Sequence, residues 1–262
     1  MKGMRSVALS STTVDVRGRF TEVLVTGQGE PLVYQHGGGI MEGLDFLGSL
    51  ADRFRVFAPL MPGYGATDPE PLLTGPDAVA RHLSGVFDAL GLERAVLVGH
   101  SLGGWLAATF AARCPERVSE LVLAAPLGMH VPEHPIANMM AMTPPERLTM
   151  LTNDPSIWEG RLPAGPDPAF QAARAREQES LRHFTPGPSD PELASTTSRI
   201  SMPTHLLWGD ADKLIPVAHA AEWQKAITGA SLQTFPGAGH LIFAELPEAL
   251  AAVTAFVDLC RG

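Results

Sequence analysis

The residues of this chain with the clearest capacity for chemistry are a serine, a histidine and an aspartate. Ser101 lies within residues 99–103 (Gly-His-Ser-Leu-Gly), directly after the apolar run of residues 95–98 and before a small-residue helix pattern. The pattern Gly-x-Ser-x-Gly between a strand and a helix is typical of a serine held on a strained turn, with its hydroxyl exposed and helix N–H groups nearby. We therefore predict that Ser101 is a nucleophile.

A serine hydroxyl attacks only when a neighbouring base takes its proton. Among the nine histidines, His240 follows the last strand pattern in a glycine-rich loop, residues 237–240. We predict that His240 is the base. His100, inside the serine turn, is expected to pack, and His36 is expected to brace a glycine loop through hydrogen bonds.

An acid must hold that histidine in one tautomer. Asp210 and Asp212 both follow the strand that ends at Trp208. Asp212 is preferred because it lies further into the loop. Asp210 is close enough to the strand end to brace the turn, and it stays open as the alternative acid.

Negative charge on an attacked carbonyl oxygen requires preorganised N–H donors. We expect one donor to be the backbone N–H of Leu102, directly after the serine. The other is assigned to Gly38, with Gly39 close behind, in residues 36–39 (His-Gly-Gly-Gly). The alternative for this glycine run is an ordinary tight turn.

The elements that must position these residues alternate between short apolar runs and helical patterns, which predicts a parallel α/β sheet. With 262 residues and 45% hydrophobic content, the chain suits one large domain. We assign residues 1–127 and 201–262 to the core. Leu44, Leu47, Ala51 and Phe54 have the spacing of one helix face.

Residues 128–200 interrupt this alternation with many prolines, methionines and aromatic residues. Thr143 and Asp167 are predicted to begin two helices, the first with a capping box. We interpret the segment as a helical lid inserted between core strands. A disordered linker is the alternative, but the methionines and aromatics argue against it.

The net charge of −9 and the lack of lysine- or arginine-rich blocks argue against nucleic acid and anionic membranes as partners. No apolar run approaches the ~18 residues of a membrane span, and the first residues do not form a secretory signal. The two cysteines have no motif spacing. We expect a cytoplasmic monomer or homodimer that binds a small molecule.

Taken together, these motifs resemble the α/β-hydrolase fold superfamily in its lidded, serine-using form. The resemblance implies a mostly parallel, eight-stranded sheet flanked by helices, and it supports Ser101 and Asp212 in their roles. Haloalkane dehalogenases and epoxide hydrolases of this fold carry aspartate where this chain has Ser101. The resemblance rests on residues 36–39, 62–67, 99–104, 208–216, 239–240 and 245–248.

The expected activity is hydrolysis of a small to medium, mainly apolar carboxylic ester through an acyl-enzyme. A carbon–carbon bond hydrolase and a lactonase are alternatives on the same triad. A ligand-sensing protein on a hydrolase scaffold is an alternative of another class. Carbon–carbon hydrolases usually carry a proline after the glycines and often an aromatic after the histidine, whereas this chain has Ile40 and Leu241. No metal or organic cofactor is implied.

The pocket walls are expected to come from loops after the strands and from the lid. Five lid arginines are candidate partners for a substrate carboxylate, although a solvated helix face paired with Glu177 and Glu179 suits most of them: Arg147, Arg161, Arg174, Arg176 and Arg182. The predicted wall residues are Gly39, Ile40, Met41, Leu127, Met129, Met139, Met140, Trp158, Leu214 and Leu241.

Overall fold

The computed structural model describes residues 8–185 and 187–262. Eight strands form one sheet in the order β1-β2-β4-β3-β5-β6-β7-β8. Strand β2 runs antiparallel to both of its neighbours, and the other neighbouring pairs are parallel. The predicted mostly parallel, eight-stranded sheet is therefore confirmed. The strands are β1 (Ser10–Val16), β2 (Arg19–Thr26), β3 (Glu30–Gln35), β4 (Phe54–Pro59), β5 (Ala95–His100), β6 (Val118–Ala124), β7 (Thr204–Gly209) and β8 (Ser231–Phe235).

Helices flank this sheet and connect its strands. Helix α2 follows β5 directly and packs on β5, β6 and α1. Short 3-10 helices cover Asp45–Leu50, Pro115–Arg117, Met139–Ala141 and Pro155–Trp158. The α-helices are α1 (Pro76–Ala89), α2 (Leu102–Arg113), α3 (Pro144–Leu151), α4 (Pro168–Phe184), α5 (Leu193–Thr197), α6 (His219–Ala226), α7 (Ile242–Glu245) and α8 (Pro247–Leu259).

Strands β5 and β7 are buried along their whole length. Near-continuous apolar sequence is what a parallel strand needs when both faces of its sheet are covered. Because β5 lies between β3 and β6, its carboxyl end lies near the middle of the edge at which the parallel strands end. Catalytic groups of open α/β sheets collect at that edge.

The predicted helix face of residues 44–54 is wrong in extent. Only a 3-10 helix forms there, Asp45–Leu50, with Leu47 and Leu50 buried. Phe54 instead begins β4, where it pairs with Glu30 of the parallel strand β3. Pairing of Phe54 in the sheet therefore overrides the helical spacing at this position.

Residues 128–200, hereafter the inserted segment, join β6 to β7 and carry α3, α4 and α5. The capping box predicted at Thr143 is present, and the Asp167 side chain accepts the N–H of Phe170 at the start of α4. The segment is tied to the core by backbone bonds, for example from Leu241 N–H to Leu151 O at 3.0 Å. Among the described residues, no helix has the length and apolar character to cross a membrane.

Candidate active site

Ser101 lies on a strained turn between β5 and α2, with φ 55° and ψ −121°. Its N–H donates to Ala124 O at 2.9 Å. A Cβ on Gly99 would lie 2.5 Å from Gly103 O, and a Cβ on Gly103 would overlap the carbonyl oxygens of the strand-end residues Gln35 and His36. The turn therefore requires glycine at both positions, which is the physical basis of the sequence pattern.

His240 and Asp212 form a buried hydrogen-bonded pair. His240 Nδ1 donates to Asp212 Oδ2 at 2.7 Å, and the side chains are 2% and 0% exposed. Asp212 Oδ1 accepts the backbone N–H groups of Leu214 and Ile215 at 2.8 and 2.9 Å. Three donors thus fix the carboxylate, which in turn holds His240 with a proton on Nδ1 and leaves Nε2 as the acceptor.

Asp210, the alternative acid, is held elsewhere. Its Oδ1 accepts the backbone N–H of Gly237 at 2.7 Å in an exposed position. The aspartate that contacts His240 is therefore Asp212. Asp210 instead connects the loop after β7 to the loop after β8.

Two further histidines support the site in neutral form. His100 Nε2 donates to His240 O at 2.8 Å, and the two rings lie 4.8 Å apart. Burial, with a smaller contribution from the charge of His240, lowers the pKa of His100 to about 3. His36 Nδ1 donates to Gly37 O at 2.8 Å, and its Nε2 accepts the N–H of Met61 at 2.9 Å. Burial lowers the pKa of His36 to about 4, so it braces the glycine loop without charge.

The glycine loop passes directly beside the serine. A Cβ on Gly37 would lie 3.4 Å from Ser101 Cβ, and Gly38 O accepts the hydroxyl of Tyr64 at 3.1 Å. Leu102 is the first residue of α2, so its N–H has no acceptor within the helix. The two predicted oxyanion donors therefore lie on the segments that flank Ser101.

Asn153 and Glu245 connect the loops that carry Asp212 and His240, and neither residue has a role predicted from the sequence. Asn153 Nδ2 donates to Ala211 O at 3.1 Å and to Gly237 O at 3.2 Å. The Glu245 carboxylate accepts the N–H of Gly239 at 2.8 Å and that of Asn153 at 3.3 Å. Glu245 lies in a motif of the resemblance, whereas no local pattern marks Asn153, because its role depends on how the inserted segment docks.

Helix α4 of the inserted segment lies over the glycine loop. A Cβ on Gly39 would lie 3.4 Å from Arg174 Nη2, and one on Gly38 would lie 3.5 Å from Leu181 Cδ1. Arg174 forms an ion pair with Glu177, and Arg176 Nε donates to Gly63 O at 2.8 Å. A guanidinium therefore lies beside the loop that would bind a substrate oxyanion.

Glu42 is a buried carboxyl group near this site that no sequence pattern marks. It is 6% exposed and lines a narrow cavity that has no room for a water molecule and whose other walls include His100 and Leu241. Burial raises its pKa to about 7, although His240 and Arg174 favour the charged form. A glutamate after a glycine loop carries no signal of burial in the sequence.

The predicted wall residues are only partly brought together. Among the described residues, Leu241 is the one predicted wall residue that lines the cavity beside Glu42. Leu127 donates its N–H to Ser101 O at 3.0 Å, and Leu214 binds Asp212. The side chain of Met140 lies outside the described residues. Met129 and Trp158 are buried, and Ile40, Met41 and Met139 are half-buried, without a shown place in this cavity.

Titratable side chains elsewhere do not gather as metal ligands would: over residues 8–185 and 187–262, no group of three His, Cys, Asp or Glu is arranged to hold an ion. The chemistry available from Ser101, His240 and the neighbouring backbone is nucleophilic attack by a hydroxyl, proton transfer by an imidazole and charge stabilisation by N–H groups.

The chain is similar to known hydrolases over most of its length. The profile of the alpha/beta hydrolase family matches residues 32–253. A 2-hydroxy-6-oxo-6-phenylhexa-2,4-dienoate hydrolase of Burkholderia cepacia is 29% identical over 238 residues, 82% of each chain. A 2-hydroxy-6-oxo-2,4-heptadienoate hydrolase of Pseudomonas putida is 29% identical over 239 residues, 82% of this chain and 84% of that one.

A solved structure of similar shape is that of a serine hydrolase involved in carbazole degradation. It superposes with a TM-score of 0.76 at 26% identity, covering 96% of this chain and all of that one.

Proposed function

The chain belongs to the alpha/beta hydrolase family, and we propose that it hydrolyses a carbon–carbon bond beside a ketone in a small anionic substrate. The observation that carries this proposal is the pair of dienoate hydrolases among the relatives. The compounds in their names hold a carboxylate, an enol and a ketone but no ester. The bond that water can split is therefore the carbon–carbon bond next to the ketone. This order reverses the sequence-based expectation, which placed an ester first.

In the proposed mechanism His240 Nε2 takes the proton of Ser101 as the hydroxyl oxygen attacks the ketone carbon. Asp212 holds the imidazole and stabilises its cation. The N–H groups of Gly38 and Leu102 bind the oxyanion.

The species attacked is the 2,6-dioxo tautomer, which forms when the 2-hydroxyl loses its proton to solvent and carbon 5 gains one from solvent. When the tetrahedral adduct collapses to the acyl-serine, the carbon–carbon bond breaks and its electron pair passes through the neighbouring double bond to the 2-oxo oxygen. The resulting dienolate takes the proton from His240. Water, deprotonated by His240, attacks the acyl-serine, and the collapse of the second tetrahedral intermediate releases a carboxylic acid and regenerates Ser101.

The carboxylate of such a substrate needs a cationic partner in a site with little water. Arg174 is suitably placed, because its guanidinium lies against Gly39 at one end of the reaction site. Helix α4 of the inserted segment lies against Gly38 and Gly39 and so covers one side of the reaction site. We infer that the inserted segment acts as a lid that moves to admit substrate.

Ester hydrolysis is the second candidate. The observation that favours it is Ile40 directly after the glycines, where carbon–carbon hydrolases usually carry proline. The attack, oxyanion and acyl-serine steps are the same, and only the leaving group differs. A lactone would enter at the same step.

The test is turnover of 2-hydroxy-6-oxo-6-phenylhexa-2,4-dienoate, followed by its ultraviolet absorbance, with benzoate identified as a product. Matched reactions contain 4-nitrophenyl acetate, and Ser101→Ala serves as the control protein. Repeated release of benzoate by the wild type, lost in Ser101→Ala, supports the proposal. Turnover of the ester alone would replace it with the second candidate. A single equivalent of product would favour a ligand-sensing protein.

A further inference from the structure

Helix α3 of the inserted segment ends against the base loop, the residues between β8 and α7 that carry His240. Leu151 O accepts the N–H of Leu241, the residue after His240, at 3.0 Å. Gly239, the residue before His240, lies so close to the same segment that a Cβ on it would be 3.0 Å from Asn153 N. The base loop therefore contacts the inserted segment on both sides of His240.

The acid loop, the residues between β7 and α6 that carry Asp212, is contacted in the same way. The carbonyl oxygen of Ala211, the residue before Asp212, accepts a hydrogen bond from Asn153 Nδ2 at 3.1 Å. Lys213, the residue after Asp212, donates from Nζ to Thr149 O at 3.4 Å. The end of α3 thus contacts the residue before and the residue after both members of the proposed acid–base pair.

Asn153 is the residue that joins the two loops. Its Nδ2 carries two N–H donors, which go to Ala211 O of the acid loop at 3.1 Å and Gly237 O of the base loop at 3.2 Å. Its backbone N–H donates to Glu245 at 3.3 Å, and the same carboxylate accepts the N–H of Gly239 at 2.8 Å. One side chain of the inserted segment therefore bridges the loops of the acid and the base.

The core also joins these loops directly, near the ends of the strands. Ala211 N–H donates to Ala238 O at 3.1 Å, and Gly237 N–H donates to Asp210 Oδ1 at 2.7 Å. Ser101, in contrast, lies between β5 and α2, so the sheet itself holds it. Because loops are the more mobile parts of a fold, the contacts with α3 matter for the acid and the base more than for the nucleophile.

We propose that Asn153 is a positioning residue: docking of α3 through Asn153 aligns His240 with Asp212, so the inserted segment contributes to the chemical step as well as covering the site. This inference rests on the proposed function, because it takes Ser101, His240 and Asp212 as the reacting residues. An amide suits the position, since it offers two donors to two carbonyl oxygens without adding a charge. A misplacement of about 1 Å in a catalytic group costs on the order of 100-fold in rate.

A segment that only covered the site would behave in the opposite way. Loosening a cover opens the path to Ser101, so the reaction of the serine with a small reagent would stay equal or become faster. Loosening a positioning contact slows that reaction, because His240 is less often placed to take the proton. The two roles therefore predict opposite changes of one rate.

The first experiment measures the rate constant for labelling of Ser101 by a fluorophosphonate, from intact mass against time, in wild type, Asn153→Ala, Asn153→Asp and Asp154→Ala. Aspartate has the size of asparagine but presents an oxygen to the two carbonyls in place of the donors. Asp154 is the matched control, because its exposed carboxylate instead caps the following 3-10 helix by binding Ser156. We expect labelling to slow about 10- to 100-fold in both Asn153 variants and to change less than about twofold in Asp154→Ala.

The second experiment observes the hydrogen bond of the pair without substrate or reagent. Proton NMR of protein with isotope-labelled histidine detects buried ring N–H protons, and His240→Gln assigns the His240 signal by its loss. We expect the His240 Nδ1 proton to exchange with water about tenfold faster in both Asn153 variants than in wild type. The Nδ1 proton of His36, which is bonded to Gly37 O, should not change. It shows in the same spectrum that the core of each variant is folded.

Labelling of both Asn153 variants at the wild-type rate or faster would overturn the inference, and so would unchanged exchange of the His240 proton. Equal slowing in Asp154→Ala would also overturn it, because the effect would then belong to the segment as a whole. The proposed function fails differently: a wild type that is labelled but cleaves no dienoate loses carbon–carbon hydrolysis, while the role of Asn153 stands. A wild type that is not labelled removes the nucleophile and the inference together.

Discussion

Replacing Glu42 by glutamine should change how the stability of the protein depends on pH. The pKa of Glu42 is raised in the folded protein, so the folded state keeps a proton that the unfolded chain releases. Stability linked to this proton is fully present below the unfolded pKa, and it is lost as pH rises through the folded pKa. Because glutamine cannot titrate, residue 42 should contribute no pH dependence to the stability of Glu42→Gln.

The magnitude follows from the size of the shift. The pKa of Glu42 moves from 4.5 to about 7 on folding. At 1.36 kcal/mol per unit, the wild type should lose about 3 kcal/mol of unfolding free energy relative to Glu42→Gln between pH 4.5 and pH 8. A constant offset from burying an amide cancels, because only the change with pH is compared.

The assay is guanidinium-induced unfolding of both proteins at half-unit steps from pH 4.5 to 8.5, with equal m-values required. The comparison with the variant is essential because His36 and His100 titrate in the opposite sense. Their pKa values are lowered on folding, so their stabilisation is present above the unfolded pKa and is lost as pH falls. Glu133→Gln, a change at an exposed position, should follow the wild type. A wild-type-minus-variant difference that stays flat to within about 0.5 kcal/mol would refute the reasoning.

Three other predictions follow from contacts in the site. Asp212→Asn should lower kcat about 10⁴-fold, because an amide cannot replace a carboxylate that accepts three N–H groups, whereas Asp210→Asn should keep most activity in steady-state assays. Equal losses in the two variants would contradict the assignment. Gly103→Ala should destabilise the protein by more than about 3 kcal/mol in thermal unfolding, while Gly165→Ala, with nothing within 4 Å of its Cβ, should change it by less than about 0.5 kcal/mol. Arg176→Ala should speed hydrogen exchange in α4, since it removes a bond that ties the helix to the core; unchanged exchange would show that other contacts hold it.

Those parts of the site that depend on local backbone geometry could be predicted from the sequence. The turn at Ser101 needs glycine on both sides wherever it occurs, and Asp212 and His240 follow strands whose carboxyl ends meet at one edge. The capping box at Thr143 is likewise a local feature.

Features created by tertiary contact could not be predicted. Phe54 has helical spacing but pairs with Glu30 in the sheet. Asn153 gains its partners only when the inserted segment docks on two distant loops. The burial of Glu42 depends on Tyr34, Phe243 and other residues far along the chain. The choice between ester and carbon–carbon cleavage is equally hidden, because the proposed triad of Ser101, His240 and Asp212 is the same for both reactions.

The central claim is that Ser101 is a nucleophile activated by His240. The most direct test is treatment with a fluorophosphonate, followed by intact-mass measurement and peptide mapping, in wild type, Ser101→Ala and His240→Ala. We expect one adduct on Ser101 of the wild type, none on Ser101→Ala and much slower labelling of His240→Ala. Absence of an adduct on the wild type, or labelling at the same rate without His240, would contradict the account.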